Sequence, residues 1–300
     1  MLHIAYSPIY KYKVPPKHRF PMIKYELIPE QLLYEGTIQN QNFFSPTPLD
    51  ESIILRTHSV DYWSKLKDQK LSAKEIRAIG FPMSPELVER GRHIAGGTLE
   101  AAYKAMEHGV AMNIAGGTHH SFTNRGEGFC LLNDIGIAAN ELIFQRKASK
   151  ILVVDLDVHQ GNGTAEIFSQ NPDVFTFSIH GEKNYPLRKE QSDLDIGLPD
   201  KTTDELYLNT LKDILPKLMD TVKPDFIFYL SGVDILGTDK LGRLNVSMEG
   251  CKARDRFVLE MCKKNNIPLA ISMGGGYSEQ LKHIVEAHCN TFRLAQEIFF

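Results

Sequence analysis

The 300-residue sequence predicts an open, mainly parallel α/β sheet flanked by helices on both faces, built as a single domain over residues 1–300. Three observations predict it. From residue 90 onward, short apolar runs alternate with helix-length amphipathic segments, the pattern of a parallel sheet covered on both sides. No internal repeat, low-complexity tract or Gly/Ser-rich linker divides the chain. A hydrophobic content of 42% is ample for one large core.

The elements follow in order. Residues 1–90 are interrupted by Pro15, Pro16, Pro21, Pro46, Pro48, Pro82 and Pro85 and read as loops and short helices, some of them walling a site. Residues 86–107 carry helical periodicity, and an apolar strand at 111–115 then leads into Gly116-Gly117-Thr118-His119-His120. A second strand, 151–154, leads into Asp155-Leu156-Asp157-Val158-His159. Thr202-Thr203-Asp204-Glu205 resembles a capping box and opens a helix carrying Tyr207, Leu211, Ile214, Leu215 and Leu218. Strand 226–230 ends in Ser231-Gly232-Val233-Asp234. Residues 247–264 form another helix, and strand 269–273 runs into Gly274-Gly275-Gly276-Tyr277. Ligands of open α/β sheets bind beyond the carboxyl ends of strands, so four ends carrying His, Asp/His, Asp and Tyr point to one shared site.

Composition narrows the function. The 34 basic and 37 acidic residues give a formal charge of −3, without the basic excess that phosphate backbones require, so no direct nucleic-acid binding is expected. The N-terminus lacks a basic stretch followed by an apolar run, and no window approaches the roughly 18 apolar residues of a membrane span. The expectation is a soluble, cytoplasmic protein, a monomer by default. Cys130, Cys251, Cys262 and Cys289 show no paired spacing and read as reduced, mostly buried thiols.

In an extended chain Asp155, Asp157 and His159 project from one face, where a metal could meet them. A carboxylate and an imidazole separated by one residue, together with the distant Asp234, would make a three-ligand site with an open position for water, as catalytic zinc requires. Two aspartates and one histidine are harder donors than most zinc sets, so iron(II) also fits. The alternation alone equally fits an exposed strand end. Gly161-Asn162-Gly163 weighs against that, because glycines directly after the histidine suit close backbone approach to a buried centre. Adjacent side chains normally diverge, and Gly116 and Gly117 permit the bend that brings His119 and His120 to one place. Two imidazoles beside a metal-activated water would supply a proton acceptor and a donor near neutral pH.

Five segments together resemble the histone deacetylases and their bacterial relatives, the arginase/deacetylase fold, over most of the chain. They are Gly116-Gly117-Thr118-His119-His120, Arg125-Gly126-Glu127-Gly128-Phe129-Cys130, the run from Asp155 to Gly163, Ser231-Gly232-Val233-Asp234 and Gly274-Gly275-Gly276-Tyr277. Gln160-Gly161-Asn162-Gly163 and the run from Asp234 to Gly242 look more like class IV than class I or II.

The resemblance implies a lysine deacylase with Asp157, His159 and Asp234 as zinc ligands, and Tyr277 as the donor that polarises the substrate carbonyl. It implies His119 and His120 as the catalytic dyad, with Asp155 orienting His119. Asn162 takes the place where class I and II enzymes usually have an aspartate beside the second histidine. Ser178 and Ile179, after a strand at 174–177, match the segment that holds a structural potassium ion with Asp155, Asp157 and the His159 backbone. Phe168 and Val174 match a second such site. Gly128 and Phe129 match one wall of the lysine channel, and Tyr185 is assigned to the other. Arg19 resembles an arginine near the acetate-release pocket of class I, although the chain departs from class I around it and a solvated surface arginine is the other reading.

The implied mechanism has zinc activating a water and the acyl carbonyl, His120 taking the water's proton, and Tyr277 stabilising the oxyanion. The implied substrate is acyl-lysine in a protein or peptide, with a preference for longer fatty acyl chains associated with class IV. Two other readings stay open: an amidohydrolase of acetylated polyamines or other small molecules, and a non-catalytic scaffold that binds acyl-lysine.

Overall fold

Parallel strands cannot be joined by tight hairpins and need crossovers, which this chain supplies mainly as helices. In the computed structural model, which describes residues 1–300, β1 (His3–Ala5) is followed by α1 (Lys24–Tyr34) and β2 (Phe43–Phe44). Three short helices come next: α2 (Glu51–Ile54), α3 (Val60–Lys67) and α4 (Ala73–Ile79). The long α5 (Pro85–His108) precedes β3 (Val110–Asn113), α6 (Asp134–Phe144), β4 (Ile151–Asp155), α7 (Asn162–Phe168), β5 (Val174–Gly181) and β6 (Leu194–Leu198). Then come α8 (Asp204–Val222), β7 (Phe226–Leu230), α9 (Met248–Asn265), β8 (Leu269–Ser272) and α10 (Leu281–Phe299).

The eight strands form one sheet in the order β2-β1-β3-β8-β7-β4-β5-β6, parallel throughout. Every residue of β3, β8, β7 and β4 is buried, which explains why these strands read as continuous apolar runs rather than alternating ones. One contiguous cluster of 79 buried side chains fills the space between the sheet and its helices. All four cysteines are free and buried, and no helix is long and apolar enough to cross a membrane.

Helix ends follow local chemistry. In α5, the Ser84 side chain accepts the Leu87 N–H, Pro85 occupies the first turn where no donor is needed, and Gly109 ends the helix at φ +85°. Two expectations are corrected. Residues 1–90 contribute β1 and β2 to the sheet, not only loops and short helices. The 202–205 motif makes no side-chain cap on α8: Thr202 donates to the Pro199 carbonyl, while Asp204 accepts the Ser247 N–H and hydroxyl where α9 begins.

Candidate active site

Because β3, β8, β7 and β4 are neighbours, the segments leaving their carboxyl ends meet over the middle of the sheet. β4 stops at Asp155, so the extended geometry that would point Asp155, Asp157 and His159 the same way does not continue. Asp155 turns to His119, and Asp157 and His159 instead meet Asp234 from the end of β7. His159 Nδ1 lies 3.0 Å from Asp157 Oδ1 and 3.2 Å from Asp234 Oδ2, and one ligand atom from each residue lies within 4.8 Å of the others.

This donor set fits a divalent cation. An imidazole N–H can satisfy only one of the two carboxylate oxygens that face Nδ1. Burial penalises both charges; His119 and His159 hold Asp157 well below the usual carboxylate range, whereas Asp234, facing Asp157, is pushed up. Backbone donors fix both carboxylates: the Val158 N–H donates to Asp234 Oδ1 and the Gly275 N–H to Asp157 Oδ2. A Cβ at residue 275 would collide with Asp234 Oδ2, so glycine is required where the 274–277 loop crosses the cradle. Below it, Arg254 donates to the carbonyls of Leu156 and Gly232, and thereby ties together the segments that carry Asp157 and Asp234.

Gly116 and Gly117, at φ +83° and +68°, turn the chain so that His119 and His120 lie side by side, ring centroids 4.2 Å apart. Asp134, at the start of α6, fixes that turn by accepting the N–H groups of Gly117 and Thr118. The two rings then take different partners. His119 Nδ1 lies 2.6 Å from Asp155 Oδ2, and His120 Nδ1 lies 2.6 Å from Asn162 Oδ1. Burial works against charging both rings, but the Asp155 carboxylate outweighs it and raises His119 to about 9. His120 has only a neutral amide, so burial together with His119 and His159 holds it well below its ordinary value.

Tyr277 stands over the site, its ring centroid 6.5 Å from that of His159, and its N–H donates to Asp239 Oδ2 at 2.6 Å. Phe129 stands 6.0 Å from the Tyr277 ring and adopts φ +69°, an uncommon conformation for a bulky residue. The strain is held by hydrogen bonds from the Gly128 and Phe129 N–H groups to the carbonyls of Ala78 and Ile79. Gly128 combines φ +52° with a position where a Cβ would lie 2.7 Å from the His120 ring. The Tyr185 ring lies 4.9 Å from that of His120, and its hydroxyl donates to Glu127. Gly128, Phe129, Tyr185 and Tyr277 thus line a mouth of about 290 Å³ that opens onto His120 and His159.

Behind the site a smaller cavity of about 40 Å³ touches His119, His120, Asp157, Arg90 and Ile94. Arg19 does not reach it: Arg19 is exposed at the outer mouth, because the chain turns inward only at the buried Phe20. The cations on the inner side are Arg90, whose Nε donates to the Tyr10 carbonyl, and the fully buried Lys24, whose Nζ donates to the Gly274 carbonyl. Burial lowers Lys24 to about 8. Ser178 is the ladder partner of Asp155 and pairs its hydroxyl with His180 Nδ1, and Ile179 follows it in β5.

Sequence reasoning missed Lys24, Arg90, Asp134, Asp239 and Arg254. Only Asp239, in the run that resembles class IV, carried any signal. The others lie on helices, where a charged residue in an amphipathic pattern normally faces solvent.

Residues 18–292 match the histone deacetylase domain family. An uncharacterised protein of Picosynechococcus is 42% identical over 99% of both chains, and histone deacetylase 2 of Arabidopsis thaliana is 28% identical over 89% of this chain and 72% of its own. The solved structure of a histone deacetylase homologue complexed with SAHA superposes with a TM-score of 0.85 at 22% identity, covering 99% of this chain and 84% of that one. The HDA15 HD domain gives 0.82 at 20% identity, covering 98% and 90%. The parallel sheet, the site beyond its strand ends and these matches agree: the chain belongs to the histone deacetylase family and is an amide hydrolase.

Proposed function

We propose that this protein removes acetyl groups from lysine side chains of proteins or peptides, with zinc held by Asp157, His159 and Asp234. The observation that carries the reading is the convergence of that donor set with His120 and Tyr277 at the floor of one narrow mouth. A bound zinc ion would polarise the acyl carbonyl and make water a stronger nucleophile; iron(II) would serve the same donors. His120 donates its Nδ1 proton to Asn162, which leaves Nε2 free to accept the proton of the attacking water. The Tyr277 hydroxyl donates to the oxyanion as it forms. Charged His119, held by Asp155, lends positive charge beside it. His120 then returns its proton to the departing lysine amine, and free lysine and a carboxylate leave.

The inner cavity favours acetyl over a fatty chain. Its 40 Å³ is of the order of one or two waters, so a longer acyl group needs a displaced wall. Asn162 beside His120, with the Gln160 to Gly163 run, supports placing the chain on the class IV branch. A structural potassium ion would draw on Asp155, Asp157, His159, Ser178 and Ile179, of which Asp155 and Ser178 are ladder partners in β4 and β5. Chelation should abolish acetate release from an acetyl-lysine peptide, and added zinc should restore it; activity that persists in metal-free protein contradicts the reading.

A further inference from the structure

The mouth of the site carries positive charge with nothing in the chain to neutralise it. Twelve residues line it, among them Arg19 and Arg77, and none is an aspartate or glutamate. Both arginines are exposed, and neither takes part in an ion pair. The neighbouring charges cancel locally. Glu127 is bound by Arg125 at 2.8 Å and by the Tyr185 hydroxyl at 2.7 Å, and Lys240, next to the lining Leu241, faces Glu279 at 3.8 Å. Deeper in, Asp239 is engaged by the N–H groups of Leu241, Gly242 and Tyr277.

The arginines also sit on supports fixed to the channel. Arg77 lies in the last turn of α4, a helix begun by a capping box between Ser72 and Glu75. The carbonyls directly after it, on Ala78 and Ile79, accept the N–H groups of Gly128 and Phe129. Arg19 follows His18, whose Nε2 lies 2.8 Å from the Gly80 carbonyl where α4 ends. The two cations are therefore held beside the wall that a lysine side chain passes, while their guanidinium groups stay in solvent.

We propose that Arg19 and Arg77 select acyl-lysine in an acidic sequence context, so that the preferred substrate is a peptide or protein segment with aspartate or glutamate near the modified lysine. The inference rests on the lysine-deacylase reading and narrows it. A polycation such as an acetylated polyamine meets repulsion at the same rim. Exposed ion pairs contribute little each, so two arginines produce a preference of about twofold to thirtyfold rather than an absolute requirement. The preference fades with salt, since the screening length falls from ~30 Å at 0.01 M to ~3 Å at 1 M.

The test compares kcat/KM for three acetyl-lysine peptides differing only in their flanking residues, acidic, neutral or basic, with the zinc-loaded full chain at low and high salt. The expected order is acidic, neutral, basic, with the spread compressed at high salt. In an Arg19→Gln/Arg77→Gln protein the acidic-to-basic ratio falls towards one, and in Arg19→Glu/Arg77→Glu it inverts. Circular dichroism and bound zinc check that the variants are folded and loaded. Equal kcat/KM for the three peptides, or a ratio untouched by the double substitutions, overturns the rim assignment while leaving the deacylase reading in place. Cleavage of none of the peptides by zinc-loaded protein overturns the deacylase reading and the inference with it.

Discussion

His120 Nδ1 faces the Asn162 side-chain oxygen at 2.6 Å, whereas its neighbour His119 faces the Asp155 carboxylate at the same distance. A carboxylate favours the charged imidazole and an amide does not, so the two rings are poised differently: His119 raised to about 9 and His120 held low by burial and its histidine neighbours. Asn162→Asp should raise the His120 pKa. Because the base acts in its neutral form, the acidic limb of the kcat/KM profile should move to higher pH. The limb belongs to a coupled set, so its direction is the readout. An unchanged or lowered limb in zinc-loaded variant protein shows that residue 162 does not tune the base.

Tyr277→Phe should lower kcat by about two to three orders of magnitude, the usual cost of one lost oxyanion donor, with little change in KM. The ring packing against Phe20 and Phe129 is kept, so the melting temperature should stay near that of the wild type. A loss of less than tenfold removes the Tyr277 hydroxyl from the mechanism.

Asp234→Asn preserves the shape that receives the Val158 N–H but removes one negative charge from the donor set. Zinc affinity measured by competition with a chelator should fall by more than the roughly tenfold to hundredfold that loss of an outer-shell partner costs, while circular dichroism is retained. Tight stoichiometric zinc in this variant contradicts the assigned ligands.

Acetyl-lysine should be cleaved with higher kcat/KM than octanoyl- or myristoyl-lysine in the same peptide, because the inner cavity measures about 40 Å³. Ile94, which lines it, supplies the means to change this: Ile94→Ala should raise the octanoyl-to-acetyl ratio. A wild-type preference for myristoyl would show that the wall yields readily and that the cavity does not set acyl length.

What was legible in the sequence depended on whether chemistry and backbone position coincided. The strands at β3, β4, β7 and β8 were readable because burial on both faces makes them uniformly apolar, and the residues just past them are fixed by strand order. β1 and β2 were not: strands of three and two residues fall below any periodicity. The 202–205 motif misled because Asp204 is recruited by Ser247, a partner 43 residues away. Lys24, Arg90 and Arg254 were hidden because they occupy helices where neighbouring charges face solvent, and only the folded chain shows them turned inward. Resemblance located the segment of Arg19 but left an inner and a surface position both open, and only the folded chain shows the turn that leaves Arg19 outside and buries Phe20.

The floor formed by Asp157, His159, Asp234, His120 and Tyr277 is proposed to cleave acyl-lysine in peptides. The most direct measurement is acetate release by the zinc-loaded protein from an acetyl-lysine peptide and from an acetylated polyamine at equal concentration, each repeated with Tyr277→Phe. The peptide should give the larger kcat/KM, and that value should collapse in the variant. Faster cleavage of the polyamine, or no acetate from either substrate, would contradict the proposal.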